Sequence, residues 1–287
     1  MISVDPLVSI ILPTYNGSRY IRQSIESCLS QQFKDFELII VNDHSTDDTG
    51  SIIEEYAARD ERIRIIHNDV NKKLPRSLNA GSEIARGKFH TWTSDDNYYG
   101  QNALQVLVDH MSREPEAGYI YTDYKIIDDE GKLKGERVFG DINKKFTGFQ
   151  GSSACFLYKA DLFKINGGYD PTYFLVEDYD FFVKCFLNSK VVYIPRNDLY
   201  FYREHAGSLT ATRRESVNDI AKLMIEQKMD QLENKLPKDQ LILLYRKYAV
   251  YKEKKKDRIS SKFYLNKLQR LSFLQYLITR IYILLKA

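Results

Sequence analysis

The chain is poor in cysteine: three in 287 residues, Cys28, Cys155 and Cys185, with no C-x-x-C pair. An odd, widely spaced set fits thiols kept reduced in the cytoplasm better than a disulfide framework or a thiolate zinc site. It also lacks a G-x-G-x-x-G after its first apolar run. "LPTYNGSRY" holds one glycine, and Pro13 and Tyr15 crowd the approach a pyrophosphate needs, which excludes a dinucleotide-dependent dehydrogenase. No uninterrupted apolar window of about 18 residues exists, so no membrane-spanning helix is expected. "MISVDPLVSIILP" has no basic stretch ahead of its apolar run and reads as a first strand rather than a signal peptide. Internal repeats are absent. Net charge is small, +3, but unevenly placed: between Lys252 and Lys286 ten Lys/Arg meet only Glu253 and Asp257. A mildly acidic body with a basic tail points away from a nucleic-acid partner and leaves a membrane-facing tail open.

What is present is an ordinary globular composition, 43% hydrophobic and 28% charged, in a chain long enough for a real core. The 21 tyrosines suit stacking on sugars or bases and equally suit half-buried strands. "LVSIIL" (7–12), closed by Pro13, is a continuous apolar run, the pattern of a strand buried on both faces. A helical pattern follows over 18–32, then a second buried strand, "FELIIVND" (36–43), that ends in an acid. Ser45 and Thr46 offer caps for the next helix, "RIRIIHN" (62–68) is a third strand, and 75–87 reads as a helix closed by Gly87. "FHTWTS" (89–94) is the fourth strand.

Strands alternating with helices specify a parallel sheet with right-handed crossovers, and ligands in such sheets sit beyond the carboxyl ends of the strands. "TYNG", Asp43 and the adjacent pair Asp95 and Asp96 each follow such an end. Two neighbouring carboxylates repel and need water, a cation or donor partners. From about residue 101 the rhythm changes to a helix and an antiparallel excursion with "DDEG" as its turn, and after 214 the chain becomes polar helices.

Four stretches carry a resemblance: "VSIILPTYNGSRYIRQSIESCLSQQFKDFELIIVNDHSTDDT" (8–49), "TSDDN" (93–97), "GGYDPTYFLVEDYDFFVK" (167–184) and "YREHAGSLT" (202–210). In this order and at these separations they resemble family 2 glycosyltransferases, inverting sugar transferases of the GT-A fold. The resemblance implies a Rossmann-like, mostly parallel central sheet flanked by helices. It implies a nucleotide-sugar-binding half over 1–100 and an acceptor-binding half over 101–214, followed by a helical extension over 215–287. It also implies an enzyme that moves a sugar from a nucleotide-diphospho-sugar, UDP being the better expectation, to a hydroxyl of a saccharide or lipid-linked acceptor in cell-surface polysaccharide synthesis.

Residue by residue, the resemblance implies that Asp43 reads the nucleotide base, helped by Thr14 and Tyr15. An ionised carboxylate is acceptor-only and suits an imide N–H; a turn or capping carboxylate is the other reading of Asp43. Asp96 matches a direct ligand of Mg²⁺ or Mn²⁺ and Asp95 a contact to ribose or to metal-bound water. Thr93 stands where the family usually has its first acid. His205 is a further contact to metal or phosphate, or a structural histidine. Arg203 suits a phosphate through planar donors, and Arg76 is either a diphosphate partner or a solvated surface charge. Asp178 matches the general base, with Asp180 as a rival and a helix-starting acidic cluster as the bland account.

The last stretch, 262–287, mixes Leu, Ile, Phe and Tyr with basic residues. A helix lying in an anionic membrane surface and a helix docked on the body or on a homodimer partner both remain open. A non-catalytic nucleotide- or sugar-binding relative is the competing function, and fold alone does not separate the two.

Overall fold

The computed structural model describes residues 5–148, 152–208 and 213–286, which fall into two units: up to Ile142 together with 150–226, and 143–149 together with 227–287. Residues 209–210, at the end of "YREHAGSLT", lie outside the described residues.

In the first unit the apolar runs become a seven-stranded sheet. Its strands are β1 (Val8–Thr14), β2 (Phe36–Asn42), β3 (Ile63–His67), β4 (Phe89–Trp92), β6 (Ala117–Thr122), β9 (Phe156–Lys159) and β10 (Lys190–Ile194), in the order β10-β6-β9-β4-β1-β2-β3. Every residue of β1 and β2 is buried, as continuous apolar runs require. β1 pairs in parallel with β2 and β4, and β2 with β3, whereas β9 runs antiparallel to both β4 and β6. The helices between them are α1 (Ile21–Leu29), α2 (Thr49–Ala57), α3 (Leu74–Ile84) and α4 (Ala103–Arg113). Further along come α5 (Asp161–Ile165), α6 (Glu177–Asn188) and α7 (Arg214–Gln227). A second sheet, β5-β11-β7-β8, is built from β5 (Tyr98–Tyr99), β7 (Tyr124–Ile127), β8 (Leu133–Arg137) and β11 (Tyr200–Arg203). β7 and β8 form the antiparallel excursion expected around "DDEG".

Three local expectations change. β1 continues through Pro13 because β4 pairs with it only as far as Ile11, and the missing N–H of Pro13 faces the side that β4 has already left. α3 ends at Ile84, so Gly87 is no cap. A Cβ on Gly87 would lie 2.5 Å from the Ser9 backbone nitrogen, and its N–H donates to Ser9 Oγ at 2.9 Å. Close approach to β1 demands this glycine. Ser45 and Thr46 do not cap α2: Ser45 Oγ accepts the Asn16 N–H, and the Thr46 N–H donates to Asn16 Oδ1. They tie the loop after β2 to the loop after β1.

One buried group on β4 makes stability depend on pH. His90 is 3% exposed, both ring nitrogens lack a partner, and the ring lies edge-on to Tyr158. Burial pushes its pKa down to about 4, against the pull of the Glu37 charge. The unfolded chain takes up this proton first as pH falls below the ordinary value near 6.5, so stability is lost between there and about 4, by up to about 3 kcal/mol. In His90→Phe the fall in Tm between about pH 7 and pH 4.5 should be clearly smaller than in the parent. An unchanged fall would contradict this assignment.

The second unit holds α8 (Met229–Lys235), α9 (Lys238–Lys254), α10 (Arg258–Leu271) and α11 (Phe273–Lys286). Leu241, Leu244, Tyr245, Tyr248, Tyr264 and Leu268 form its buried face. The segment 143–149 joins it through Gln240, whose Oε1 accepts the Phe146 N–H and whose Nε2 donates to the Asn143 carbonyl, both at 2.7 Å. Among the described residues no helix is long and apolar enough to cross a membrane.

Candidate active site

Parallel pairing brings the carboxyl ends of β1, β2 and β4 to one rim of the large sheet, and the reversal of β9 brings its leading segment to the same rim. Ser153 Oγ, just ahead of β9, donates to the carbonyl of Thr122 at the end of β6 at 2.6 Å. Polar residues leaving these strands therefore converge. The opposite rim gives the contrast. Buried Glu37 there receives Ser9 Oγ and the Arg86 N–H on one oxygen and Arg64 and Arg86 on the other. Burial raises its pKa, but these donors outweigh burial and hold it below its usual range. That carboxylate is saturated and structural. Those at the carboxyl rim are not.

Asp43, 4% exposed, follows β2. Its Oδ1 accepts Asn68 Nδ2 and the Lys72 N–H, both at 2.8 Å, and its Oδ2 accepts the Lys73 N–H at 2.9 Å. Two lone pairs per oxygen leave one acceptor position, on Oδ2. Two successive backbone N–H groups reach the carboxylate, and Lys73, which supplies the second, adopts φ 70°. Asn16 (φ 54°), His44 (φ 65°) and Leu175 (φ 85°) share this left-handed conformation on the loops after β1, after β2 and before α6. Such strain gathers where surrounding structure holds a loop in a functional shape.

Thr14, buried at the end of β1, donates from Oγ1 to Asp95 Oδ2 at 2.6 Å, and its carbonyl accepts the Asp43 N–H. Tyr15 beside it is half exposed. Gly17 packs directly on Asp95, since a Cβ there would lie 2.1 Å from Oδ2. Under this close cover Asp95 is half-buried. Burial first, and the Asp96 charge second, push its carboxyl up to about 7.

Asp96 meets His205, Nε2 to Oδ2 at 3.0 Å, while its Oδ1 is buried without a partner. The bond to Asp96, and then its charge, hold the His205 imidazole above its ordinary pKa. Thr93 cannot stand in for the family's missing acid. It is fully buried, and its hydroxyl is bonded to the Tyr200 hydroxyl at 2.8 Å. Among the described residues no three or more His, Cys, Asp or Glu converge on a ready-made metal cage. The orphaned Asp96 oxygen and the neighbouring imidazole still form a donor set that fits Mg²⁺ or Mn²⁺, hard cations that take one or two protein ligands and fill the rest from phosphates and water.

Arg203 is where the structure departs most from expectation. It is 3% exposed, and its guanidinium is committed elsewhere. Nε donates to the Asp96 carbonyl, Nη1 to the carbonyls of Asp128 and Asp129, and Nη2 to Gln23 Oε1, at 2.6–3.0 Å, with the charge over the Tyr20 ring. Four of its five donors are spent. Rather than meeting a phosphate, it pins the Asp96 loop to α1 and to the β7–β8 turn. Arg76 is exposed on the first turn of α3.

Asp178 lies in the first turn of α6. Its Oδ2 accepts Ser152 Oγ at 2.8 Å and its Oδ1 the Tyr179 N–H at 2.7 Å. Ser152 belongs to the segment leading into β9, so this bond ties Asp178 to the rim. Burial raises its pKa, and the Ser152 hydroxyl opposes the rise. Glu177, 3% exposed with Oε2 unpartnered, is pushed up to about 8 by burial and then by Asp178. Asp180 is fully buried and ion-paired with Lys184 at 2.7 Å, so it is not available as a rival base. Asn68 is not singled out by the sequence, although it closes a strand beside the Asp43 strand. "TYNG", with Gly17, and "GSSACF" (151–156), with Ser152 and read from the resemblance as lining the donor sugar, are singled out without the contacts to Asp95 and Asp178.

A parallel sheet with one reversed strand, gathering carboxylates at its carboxyl rim and carrying a second small sheet, is the GT-A type of glycosyltransferase fold. The family model "Glycosyl transferase family 2" matches residues 9–175, and the chain belongs to that family. It is 32% identical over 218 residues to the uncharacterized glycosyltransferase EpsJ of Bacillus subtilis, covering 71% of this chain and 63%, less than two thirds, of EpsJ. Among solved structures it resembles residues 1–349 of S. aureus TarS in complex with UDP-GlcNAc, with TM-score 0.67, 17% identity, and 92% and 91% of the two chains covered. It also resembles the mannosyltransferase PcManGT of Pyrobaculum calidifontis in complex with GDP-Man and Mn²⁺, with TM-score 0.59, 15% identity, and coverage of 79% and 65%.

Proposed function

We propose that the chain is an inverting, metal-dependent glycosyltransferase. It takes a UDP-sugar as donor and a hydroxyl of a saccharide or lipid-linked acceptor, on the cytoplasmic side of cell-surface polysaccharide synthesis. The observation that carries this is the pattern of unfinished hydrogen bonding at one rim. Asp43 has one acceptor position left, Asp96 has one orphaned oxygen beside His205, and Asp178 is held by a single hydroxyl and one N–H.

Each residue then has a task. Asp43 Oδ2 accepts the imide N–H of the base, with Thr14 and Tyr15 beside it. Asn68 and the 72–73 backbone act as positioning groups that aim the carboxylate. Asp96 and His205 hold Mg²⁺ or Mn²⁺, with Asp95 behind them toward ribose and Arg76 facing the diphosphate. The metal supplies Lewis-acid neutralisation of charge on the leaving UDP. Asp178 takes the proton of the acceptor hydroxyl as that oxygen attacks the anomeric carbon, the bond from carbon to UDP oxygen breaks on the opposite side, and configuration inverts. The UDP-GlcNAc complex of TarS supports the choice of uracil, and the Mn²⁺ complex of PcManGT the choice of metal.

The test is calorimetric titration of UDP, dTDP and GDP with and without Mn²⁺, followed by turnover of UDP-sugars. UDP should bind tightest and only with metal at full affinity, and excess EDTA should abolish turnover. Tightest binding of GDP would overturn the base assignment. Undiminished turnover in EDTA would overturn the metal, and nucleotide binding without any transfer would favour a non-catalytic relative.

A further inference from the structure

We propose that the C-terminal helical unit binds the surface of an anionic lipid bilayer through an exposed apolar stripe on α11. Leu274, Leu277, Ile278, Ile281, Leu284 and Leu285 are 66%, 40%, 39%, 57%, 69% and 81% exposed. Spacings of three and four residues put them on one face of the helix. Single exposed apolar residues are ordinary on a protein surface; a contiguous stripe of this length marks an interaction site. Thr279, fully buried on the other side, shows which face α11 turns inward. The stripe is therefore not the face that docks on its own unit.

Charge selects the occupant. From Arg258 to Lys286 there are six Lys/Arg and no Asp or Glu. Lys267 is neutralised by Glu233, while Lys262, Arg270 and Arg280 are exposed. A second copy docking stripe to stripe would bring two such basic segments together, which like-charge repulsion opposes. Anionic headgroups meet the same residues with opposite charge while acyl chains receive the apolar face. The 14 residues of α11 rise about 21 Å, less than the roughly 30 Å hydrocarbon core, a length that suits a helix lying in the interface. This surface stands independently of the catalytic reading.

The test is co-sedimentation of the full chain with vesicles of phosphatidylcholine alone or with about a third phosphatidylglycerol. The parent should pellet with the anionic vesicles, less so as salt rises. The double variant Ile281→Glu with Leu285→Glu, both at exposed positions, should bind at least about tenfold more weakly, with unchanged circular dichroism. Arg270→Gln with Arg280→Gln keeps the stripe and should reduce the preference for anionic vesicles. Equal binding by parent and stripe variant, or no binding to either vesicle, would overturn the proposal. So would light scattering that shows a dimer broken by the stripe variant in a chain that ignores vesicles.

Discussion

An Asp178→Asn chain is expected to bind UDP within about twofold of the parent while its kcat falls about 1000-fold. Asparagine keeps the shape: its Oδ1 can accept the Tyr179 N–H while its Nδ2 donates to the Ser152 hydroxyl, so both contacts that place the side chain are kept. What it loses is basicity, and no neighbour replaces that. Glu177 is pushed up to about 8 with an unpartnered buried oxygen, so at neutral pH it holds its own proton. Asp180 is fully buried against Lys184. The sign of the pH dependence follows. Burial raises the Asp178 pKa, so the acid limb of kcat/KM lies above the ordinary carboxylate range and activity is lost as pH falls through the raised value. Ser152→Ala removes a donor that lowers this pKa, and should move the limb to still higher pH with kcat on the plateau largely kept. Near-parent turnover by Asp178→Asn would remove it as the base.

The second large effect belongs to Asp96. In Asp96→Asn, Mn²⁺ affinity in the presence of UDP should fall about 100-fold, read by calorimetry or by the electron paramagnetic resonance signal of free Mn²⁺, with turnover falling in parallel. UDP binding without metal should change little. Without metal, the effect of the same substitution on stability should change sign with pH. Asp95 is pushed up to about 7 by burial and by the Asp96 charge; a carboxyl raised in the folded state destabilises as pH rises and it must ionise. Removing the neighbouring charge relieves part of that cost, so Tm should rise at about pH 8, whereas at about pH 5 it should fall, because the protonated His205 loses its carboxylate partner. A variant that keeps parent Mn²⁺ affinity would exclude Asp96 as a ligand.

The carboxyl rim was legible in the sequence because its cause is local. Buried parallel strands must be continuous apolar runs, so "LVSIIL" and "FELIIV" announce their own ends, and the polar residues just past them mark the site. The family resemblance extended this to Asp178 and His205, more than 70 residues beyond the fourth strand. The unread part was non-local. Nothing near Arg203 in sequence says that its guanidinium will meet carbonyls 74–107 positions away. An arginine two residues before a candidate metal ligand looks the same whether it reaches out to phosphate or in to backbone. Gly17 reads as a turn glycine until the fold presses Asp95 against it. Reversed β9 carries the same apolar composition as its parallel neighbours, and direction leaves no mark on a four-residue strand. Ser152 acquires a task only through that reversal.

The most direct test of inverting transfer with Asp178 as its single base is the proton NMR spectrum of the first-formed product. It should be recorded with an α-configured UDP-sugar that supports turnover. The anomeric coupling expected is that of a β-linked product, formed by one in-line displacement. An α-linked product would mean that configuration is retained, and would contradict both the single-displacement mechanism and the role given to Asp178.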